Sequence, residues 1–276
     1  MKTLNCNGKL LVFDQAKLMG ILNLTPDSFF DGGRISSIQN ALSKVENMIH
    51  HGAEIIDIGA MSSRPGASII TAKEEIKRLK PYINLIARQF PELVLSIDTI
   101  HSETATFSIN EGADMINDIS AGDFDPLMID TVAKLKVPYT IMHMNGTPET
   151  MQKTVNEQSD VLNVLKYLID KKRKCEEAGI LDIIIDPGFG FGKSVNQNYS
   201  LLKQLTCFEI LEKPILVGLS RKSMICKPLH LSPEDALNGT TVLNMVALQN
   251  GADILRVHDV KEANQVRKLY GQLKEV

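Results

Sequence analysis

Residues 18–24 form a short apolar run, Leu18-Met19-Gly20-Ile21-Leu22-Asn23-Leu24. A continuous apolar run of this length is typical of a buried β-strand. Seven further runs of the same kind follow along the chain. They are Ile55–Ile58, Leu93–Ile97, Met115–Asn117, Pro138–Met142, Ile183–Ile185, Ile215–Val217 and Asp253–Val257. The sequence therefore predicts eight buried strands.

The segments between these runs have helical periodicity. In the clearest one, apolar residues recur at three- and four-residue steps along one face. They are Ile38, Ala41, Leu42, Val45, Met48 and Ile49. Pro81 interrupts the segment Ile76–Phe90, which predicts a kink or two separate helices there. Strands and helices therefore alternate along the chain.

Eight such alternations in 276 residues favour a single (β/α)8 TIM barrel, with one domain over residues 1–276. An open, doubly wound sheet with extra strands is the alternative. Before the first barrel strand, Asn5-Cys6-Asn7-Gly8 lies between Leu4 and the apolar run Leu10–Phe13. This turn pattern predicts a short N-terminal β-hairpin.

The composition restricts the partners and the compartment. A formal net charge of −3 gives no general basic field, so a nucleic acid is not expected as a partner. No apolar stretch approaches the length of a membrane span, and the first residues lack the apolar core of a secretory signal, which predicts a cytoplasmic protein without membrane contact. The four cysteines form no CxxC pair, which indicates reduced structural thiols.

Polar and charged residues follow the ends of most predicted strands. They are Asn23, Asp98, Asn117, Asp118, His143, Asp186, Ser220-Arg221-Lys222, Arg256 and His258. In a barrel these strand ends meet at one face, where the active sites of this fold are built. Carboxylates at Asp98 and Asp186, facing several cationic side chains, suit a polar ring together with an anion.

Some of these residues also have a structural interpretation. An Asp after a strand often serves as a helix N-cap or turn former, and this holds best for Asp118 and Asp259. Two generic motifs fail. Pro187 stands where the first glycine of a Walker A loop belongs, and Ser220 lacks the last glycine of a hydrolase nucleophile elbow.

Eight stretches resemble, in order, the motifs of dihydropteroate synthases. The two signature loops of that family correspond to Leu22–Gly33 and Ser62–Ala67. The other stretches are Ser96–Thr99, Ile116–Asp118, Met142–Pro148, Asp186–Lys193, Ser220–Ser223 and Arg256–Val260. The resemblance covers essentially the whole chain.

The resemblance implies that 6-hydroxymethyl-7,8-dihydropterin diphosphate condenses with p-aminobenzoate, giving 7,8-dihydropteroate and diphosphate for folate biosynthesis. It implies that the pterin ring is bound by Asp98, Asn117, Asp186 and Lys222. A carboxylate and an amide side chain suit the amide and amino edge of such a ring.

The resemblance further implies a dissociative (SN1-like) path, because an aryl amine is a weak nucleophile and departure of diphosphate must then be assisted. The diphosphate would be bound by Asn23, Arg64, Arg256 and His258. Mg²⁺ would be held through the diphosphate with help from Asn23. The catalytic set would be Asp98, Lys222, Arg256 and His258.

The two signature loops are expected to close over the diphosphate and form the p-aminobenzoate pocket. The residues expected to contribute to that pocket are Ser63, Pro65, Phe189, Lys222 and Ser223. A homodimer is implied by the family alone.

One stretch departs from the family pattern. Where the family commonly has Gly-Gly-Glu-Ser-Thr-Arg-Pro-Gly, this chain has Gly59-Ala60-Met61-Ser62-Ser63-Arg64-Pro65-Gly66. The missing glutamate at Met61 leaves loop anchoring and sulfonamide sensitivity open.

Two other functions remain as alternatives. Pterin-dependent methyltransferases that act with corrinoid proteins share the barrel and its carboxylates, but they do not need the diphosphate set. A non-catalytic pterin-binding paralogue is the second, although the loss of loop residues that would mark it is confined to the stretch around Met61.

Overall fold

The computed structural model describes residues 1–24, 38–61, 68–146 and 160–275. Within these ranges the chain forms ten strands. They are β1 (Thr3–Cys6), β2 (Lys9–Val12), β3 (Lys17–Asn23), β4 (Ile55–Gly59), β5 (Val94–Asp98), β6 (Met115–Asp118), β7 (Tyr139–Met142), β8 (Ile183–Asp186), β9 (Leu216–Val217) and β10 (Ile254–Val257).

Strands β3 to β10 form one parallel sheet that closes on itself. Neighbouring strands pair in the order β8-β7-β6-β5-β4-β3-β10-β9. A parallel bridge between Ile185 and Ile215 joins the two ends of this order, and the amide of Ile185 donates to the carbonyl of Pro214 at 2.9 Å. The predicted eight-stranded barrel is therefore confirmed, and the open sheet is not formed.

Each barrel strand begins and ends within one residue of its predicted bounds. The prediction succeeds because both faces of these strands are buried, one in the barrel interior and the other under the helices. Every residue of β4 and of β5 is buried, for example. A short, largely apolar run is therefore a sufficient signal for these strands.

The helices follow the strands around the outside of the barrel. Those in the described ranges are Ile38–His50, Ala72–Leu79, Ile83–Gln89, Ser102–Asn110, Met128–Leu135, Val161–Glu177, Val195–Lys203, Ser223–Leu229, Leu237–Gln249 and Val260–Lys274. Pro81 lies between two helices, Ala72–Leu79 and Ile83–Gln89. This confirms the predicted break, because proline cannot donate the backbone hydrogen bond that a continuous helix needs.

The predicted N-terminal hairpin is also confirmed. β1 and β2 pair antiparallel around a turn at Asn7 and Gly8, whose φ angles are +52° and +95°. Two left-handed residues with the sequence Asn-Gly are the preferred two-residue hairpin turn. The hairpin packs on the amino-terminal end of the barrel, where a separate apolar cluster joins it to the strands. Its buried members are Leu4, Cys6, Leu11, Met19, Ile55, Val94, Met115, Ile184, Leu216 and Ile254.

The hairpin covers one end of the barrel, so the carboxyl ends of the strands form the other end, which we call the mouth. Lys9 reinforces the closed end because its Nζ donates to Asp114 at 2.8 Å and to the carbonyl of Leu93 at 2.6 Å. Across the described ranges, the helices are too short or too polar to span a bilayer.

Candidate active site

A network of five polar side chains lies in the mouth and directly beneath it. The register of the sheet places Asp98 beside Asn117 and Asp57 beside Ser96. Arg256 reaches across from β10. Its Nε donates to Asp57 Oδ2 at 2.7 Å and its Nη2 donates to Asp98 Oδ2 at 3.0 Å. The guanidinium therefore bridges two carboxylates on neighbouring strands.

Asp98 carries a strongly perturbed carboxyl group. Burial raises the pKa of Asp98 to about 7, against the lowering effect of the Arg256 guanidinium. The nearby carboxylates of Asp57, Glu75 and Asp118 raise it further. Loss of water disfavours the charged form of a carboxylate, and like charges add to that cost. Perturbed carboxyl groups of this kind are concentrated at functional sites.

A second carboxylate, Asp186, ends β8 on another side of the mouth. Its Oδ1 accepts a hydrogen bond from the backbone amide of Gly188 at 2.7 Å. Burial raises the pKa of Asp186, and the ammonium of Lys222 acts in the opposite direction. Burial in turn lowers the pKa of Lys222 to about 8, with Asp186 opposing the change. The charges of Asp186 and Lys222 therefore favour each other at the mouth, where Asp186 is buried and Lys222 is half-buried.

The loop after Asp186 lies directly against the loop after β7, and its glycines make this approach possible. Gly188 and Gly192 have φ angles of +72° and +65°. A Cβ atom on Gly188 would lie 1.8 Å from the carbonyl oxygen of His143, and one on Gly192 would lie 2.3 Å from that of Asn145. Only residues without a side chain fit at these two positions.

Lys193 holds this glycine loop together from within. Its Nζ donates to the carbonyl oxygens of Gly188 at 2.7 Å, His143 at 3.1 Å and Phe191 at 3.3 Å. Burial lowers the pKa of Lys193 to about 7. The three carbonyls lie in two different loops, so one ammonium group connects the loop after β7 to the loop after β8.

The remaining predicted site residues are placed as follows. Asn23 ends β3 at the mouth and is half-buried, and Ser223 begins a helix and is exposed. His258 is exposed just after β10, and its backbone amide donates to Ser220 Oγ at 3.3 Å. The ring of Phe189 is fully buried in the main core. Ser63, Arg64 and Pro65, and the signature-loop residues 25–33, lie outside the described residues.

Two strand-end aspartates have structural contacts. Asp118 accepts hydrogen bonds from the amides of Ser120 and Gly122, both at 2.7 Å, and from the Tyr139 hydroxyl at 2.6 Å. It holds the turn after β6, as predicted. Asp259 precedes a helix but does not cap it through its side chain. It binds the guanidinium of Arg221 instead, with Nη2 and Oδ1 2.7 Å apart.

The side chain of His143, which follows β7, makes an aromatic contact instead of an ion pair. Its ring packs edge-on against Tyr167 with the centroids 5.0 Å apart, and burial lowers the pKa of His143 to about 3. The imidazole is therefore neutral at physiological pH.

Sequence reasoning missed two residues, Asp57 and Lys193. Asp57 lies in the middle of the predicted run Ile55–Ile58, and an acidic residue inside an otherwise apolar strand was the signal available. Lys193 entered the sequence analysis only as the last residue of the stretch Asp186–Lys193, with no role assigned to it. A buried lysine with three carbonyl partners has no sequence pattern, because its partners come from separate loops.

The donor set for a metal ion is small. Among the described residues, no group of three or more His, Cys, Asp and Glu side chains could hold an ion. Asn23 offers one side-chain amide oxygen at the mouth. Mg²⁺ is commonly held by one or two protein oxygens together with substrate phosphates and water. The residues present therefore fit an ion that arrives with a phosphorylated substrate.

Comparison with known proteins gives the family. The pterin binding enzyme family matches residues 19–258. The dihydropteroate synthase of Escherichia coli (strain K12) is 41% identical over 264 residues, which are 95% of this chain and 93% of that protein. This chain belongs to the dihydropteroate synthase family. It is thus a transferase of folate synthesis, and the resemblance inferred from its motifs is confirmed.

Other dihydropteroate synthases extend this match. The one from Haemophilus influenzae is 41% identical over 269 residues, which are 97% of both proteins. The structure of the Yersinia pestis dihydropteroate synthase with a sulfonamide drug has a TM-score of 0.94 at 36% identity and covers 100% of both chains. That of the Xanthomonas albilineans enzyme with 7,8-dihydropteroate has a TM-score of 0.89 at 35% identity. The family match therefore includes the whole fold.

Proposed function

We propose that this chain condenses 6-hydroxymethyl-7,8-dihydropterin diphosphate with p-aminobenzoate, giving 7,8-dihydropteroate and diphosphate. The observation that carries the proposal is that buried carboxylates lie near cations inside the mouth: Asp98 is bound by Arg256 at 3.0 Å, and the charge of Lys222 lowers the pKa that burial raises at Asp186. Such a site suits a flat ring with both donor and acceptor edges, joined to an anionic leaving group. The alternatives named above are tested by the same experiment.

The pterin ring is proposed to lie among Asp98, Asn117, Asp186 and Lys222. Asp186 accepts hydrogen bonds from the amino and amide N–H groups of the ring, and the Lys222 ammonium donates to ring acceptors. Desolvation of these charged groups in the free protein supports this assignment, because a ligand that offers complementary polar groups replaces the water they have lost.

The reaction is proposed to begin with cleavage of the bond between the pterin methylene carbon and the diphosphate oxygen. The electron pair leaves with the diphosphate, so positive charge develops at the methylene. With both carboxylates ionised, Asp57, Asp98 and Arg256 together hold one excess negative charge, which favours that cation. The amino nitrogen of p-aminobenzoate then forms the new bond and loses its proton.

The diphosphate is proposed to be bound by Asn23, Arg64, Arg256 and His258. Arg256 is already engaged with two carboxylates, so its contribution here is mainly its charge and its remaining N–H groups. Mg²⁺ bound through the diphosphate and Asn23 would neutralise the charge that collects on the leaving group.

The p-aminobenzoate pocket is proposed to include Ser63, Pro65, Phe189, Lys222 and Ser223. Because the Phe189 ring is buried, we propose that Phe189 contributes through its carbonyl oxygen, which accepts a hydrogen bond from Lys222 Nζ at 2.5 Å. The ring of Phe191 is only partly buried, and Lys222 Nζ lies 4.8 Å from its centroid. Phe191 is therefore the better candidate for an aromatic contact.

A cytoplasmic homodimer is proposed as the working form of the protein. Leu269 and Leu273 are four residues apart on the last helix and each is 62% exposed, which supports an apolar contact on that face. Light scattering after gel filtration tests the dimer, and a monomer at micromolar concentration would contradict it.

The proposed activity is tested with purified protein, both substrates and Mg²⁺. We expect 7,8-dihydropteroate and an equal amount of diphosphate, and we expect Asp186→Ala to lose both product and pterin binding. Binding of 6-hydroxymethylpterin without any product would favour the non-catalytic paralogue. Methyl transfer from methyltetrahydrofolate to a corrinoid protein, with no dihydropteroate formed, would favour the methyltransferase.

A further inference from the structure

We propose that Asp57 is a positioning residue that orients both Asn117 and Arg256 for the reaction without touching the substrate. The inference rests on the proposed function, because it assigns a role within the same site. It concerns a carboxylate that lies beneath the mouth, in the middle of β4.

Both carboxylate oxygens of Asp57 accept short hydrogen bonds. Its Oδ1 accepts from the Ser96 hydroxyl at 2.6 Å, and its Oδ2 accepts from Asn117 Nδ2 at 2.9 Å and from Arg256 Nε at 2.7 Å. The side chain has no exposed surface. No substrate atom can therefore reach Asp57 unless one of these three neighbours moves away.

Asp57 determines which end of the Asn117 amide faces the ligand. A carboxylate only accepts hydrogen bonds, so the amide must turn its NH₂ group toward Asp57. The carbonyl oxygen of Asn117 then remains for the ring, where it accepts from an N–H donor. Without Asp57, either end of the amide could face the ring, and half of the orientations would present a donor to a donor.

Asp57 also fixes the plane of the Arg256 guanidinium. With Nε bound to Asp57 and Nη2 bound to Asp98, the group is held at two of its nitrogen atoms. Without Asp57, a single contact to Asp98 remains, and the planar group can rotate about it. Among the described residues, Asp98 is then the carboxylate that remains bound to Arg256. The guanidinium can shift toward Asp98 and away from the reacting methylene.

A role in stability alone explains the position of Asp57 less well than a role in orienting its two partners. A fully buried carboxylate is costly to desolvate, and well-packed apolar residues often replace buried ion pairs without loss of stability. The two functional partners of Asp57 are both predicted site residues on different strands, β6 and β10. The carboxylate is therefore placed where it connects the ring-binding amide to the cationic group.

Two variants of Asp57 separate its geometry from its charge. In Asp57→Asn, the amide oxygen can still accept from Asn117 and Arg256, while its NH₂ group donates to Ser96. In Asp57→Ala, all three contacts are lost. The control variant is Asp114→Asn. Asp114 is also a buried barrel carboxylate, but it lies at the closed end, where Lys9 and the amide of Leu95 donate to it.

The readouts are calorimetric affinity for 6-hydroxymethylpterin, kcat and KM for the diphosphate substrate, and the unfolding midpoint. We expect Asp57→Ala to weaken ring binding by about 10- to 100-fold, the range for hydrogen bonds to charged groups. We expect Asp57→Asn to keep ring affinity within about threefold while kcat falls by about tenfold or more, because one of the two counter-charges of Arg256 is lost. The Asp114→Asn control should lower only the unfolding midpoint.

Several outcomes would overturn the inference. It fails if Asp57→Ala binds the pterin as tightly as the wild type and differs from it only by a lower unfolding midpoint, as is expected for Asp114→Asn. If Asp57→Ala does not fold, Asp57→Leu replaces it, because leucine is close in size but accepts no hydrogen bond, and an unchanged pterin affinity in that variant has the same meaning. A wild type that makes no dihydropteroate would instead contradict the proposed function, and the calorimetric comparison would still test the orientation of Asn117.

Discussion

The Nζ atom of Lys222 lies 2.5 Å from the carbonyl oxygen of Phe189, in the loop that follows Asp186. The lysine comes from the loop after β9, while the carbonyl belongs to the loop after β8. One hydrogen bond therefore aligns the cation with the carboxylate that opposes it. The pair proposed to bind the ring is therefore held in part by a backbone contact in the ligand-free protein.

Replacing Lys222 with methionine should weaken binding of 6-hydroxymethylpterin by about 10- to 100-fold, because a charged donor to the ring is lost. Calorimetry of the variant measures this. The unfolding free energy should also fall by about 1–3 kcal/mol, because the variant leaves the buried Asp186 carboxylate without the cation that opposes its desolvation. Lys213→Met is the matched control, because Lys213 also donates to a backbone carbonyl, that of Leu181 at 3.2 Å, but away from the mouth. Equal affinities in the two variants would argue against the assignment of Lys222.

Gly188→Ala should destabilise the protein far more than Gly179→Ala. Both glycines have positive φ, which costs an alanine about 1–2 kcal/mol. At Gly179 the added Cβ would meet nothing within 4 Å, whereas at Gly188 it would lie 1.8 Å from the carbonyl oxygen of His143. Relieving that overlap should cost at least a further 1–3 kcal/mol or so. Urea unfolding of both variants gives the comparison, and similar losses would mean that the two loops are not in contact.

The pH dependence of stability should reveal Asp98. Its pKa in the folded protein is about 7, against 3.8 for the ordinary group, so the folded state binds more protons than the unfolded state between these values. Stability from this group therefore falls as pH rises from about 4 to above 7. Asp98→Asn removes that loss, so its unfolding free energy should improve relative to the wild type over this window. A difference between the two proteins that stays constant from pH 4.5 to 8 would contradict the raised pKa.

Tyr139→Phe should cost stability without affecting catalysis. The Tyr139 hydroxyl donates to Asp118 Oδ2 at 2.6 Å, and both residues are fully buried. Removing a donor to a buried carboxylate costs about 1–3 kcal/mol. Tyr199→Phe is the control, because the Tyr199 hydroxyl bonds a carbonyl oxygen at 3.1 Å in a partly exposed position. A large fall in kcat for Tyr139→Phe would show that Asp118 takes part in the reaction.

The strands and the residues at their ends could be predicted because their signals are local. A barrel strand is buried on both faces, as β4 and β5 illustrate, and the residues that end it lie at the mouth end of the barrel. The break at Pro81 and the hairpin turn at Asn7-Gly8 follow from the backbone restrictions of single residues. These features depend on the nearest few residues.

The chemistry of the site required contacts between distant parts of the chain. Phe189 and Phe191 are two residues apart in one motif, yet one ring is in the core and the other faces Lys222. That difference follows from a loop whose glycines have left-handed conformations and which lies against the loop after β7. The hydrophobic periodicity of the sequence gives no signal for this difference between the two rings.

The sequence alone determined the barrel, the hairpin, the family motifs and the strand-end carboxylates, because short-range periodicity and residue type specify them. Tertiary structure decided the partners of those carboxylates. Asp57 and Arg256 are 199 residues apart in the chain but 2.7 Å apart in space. Barrel closure brings β4 and β10 around one axis, and only there can a buried carboxylate meet the cation that it orients.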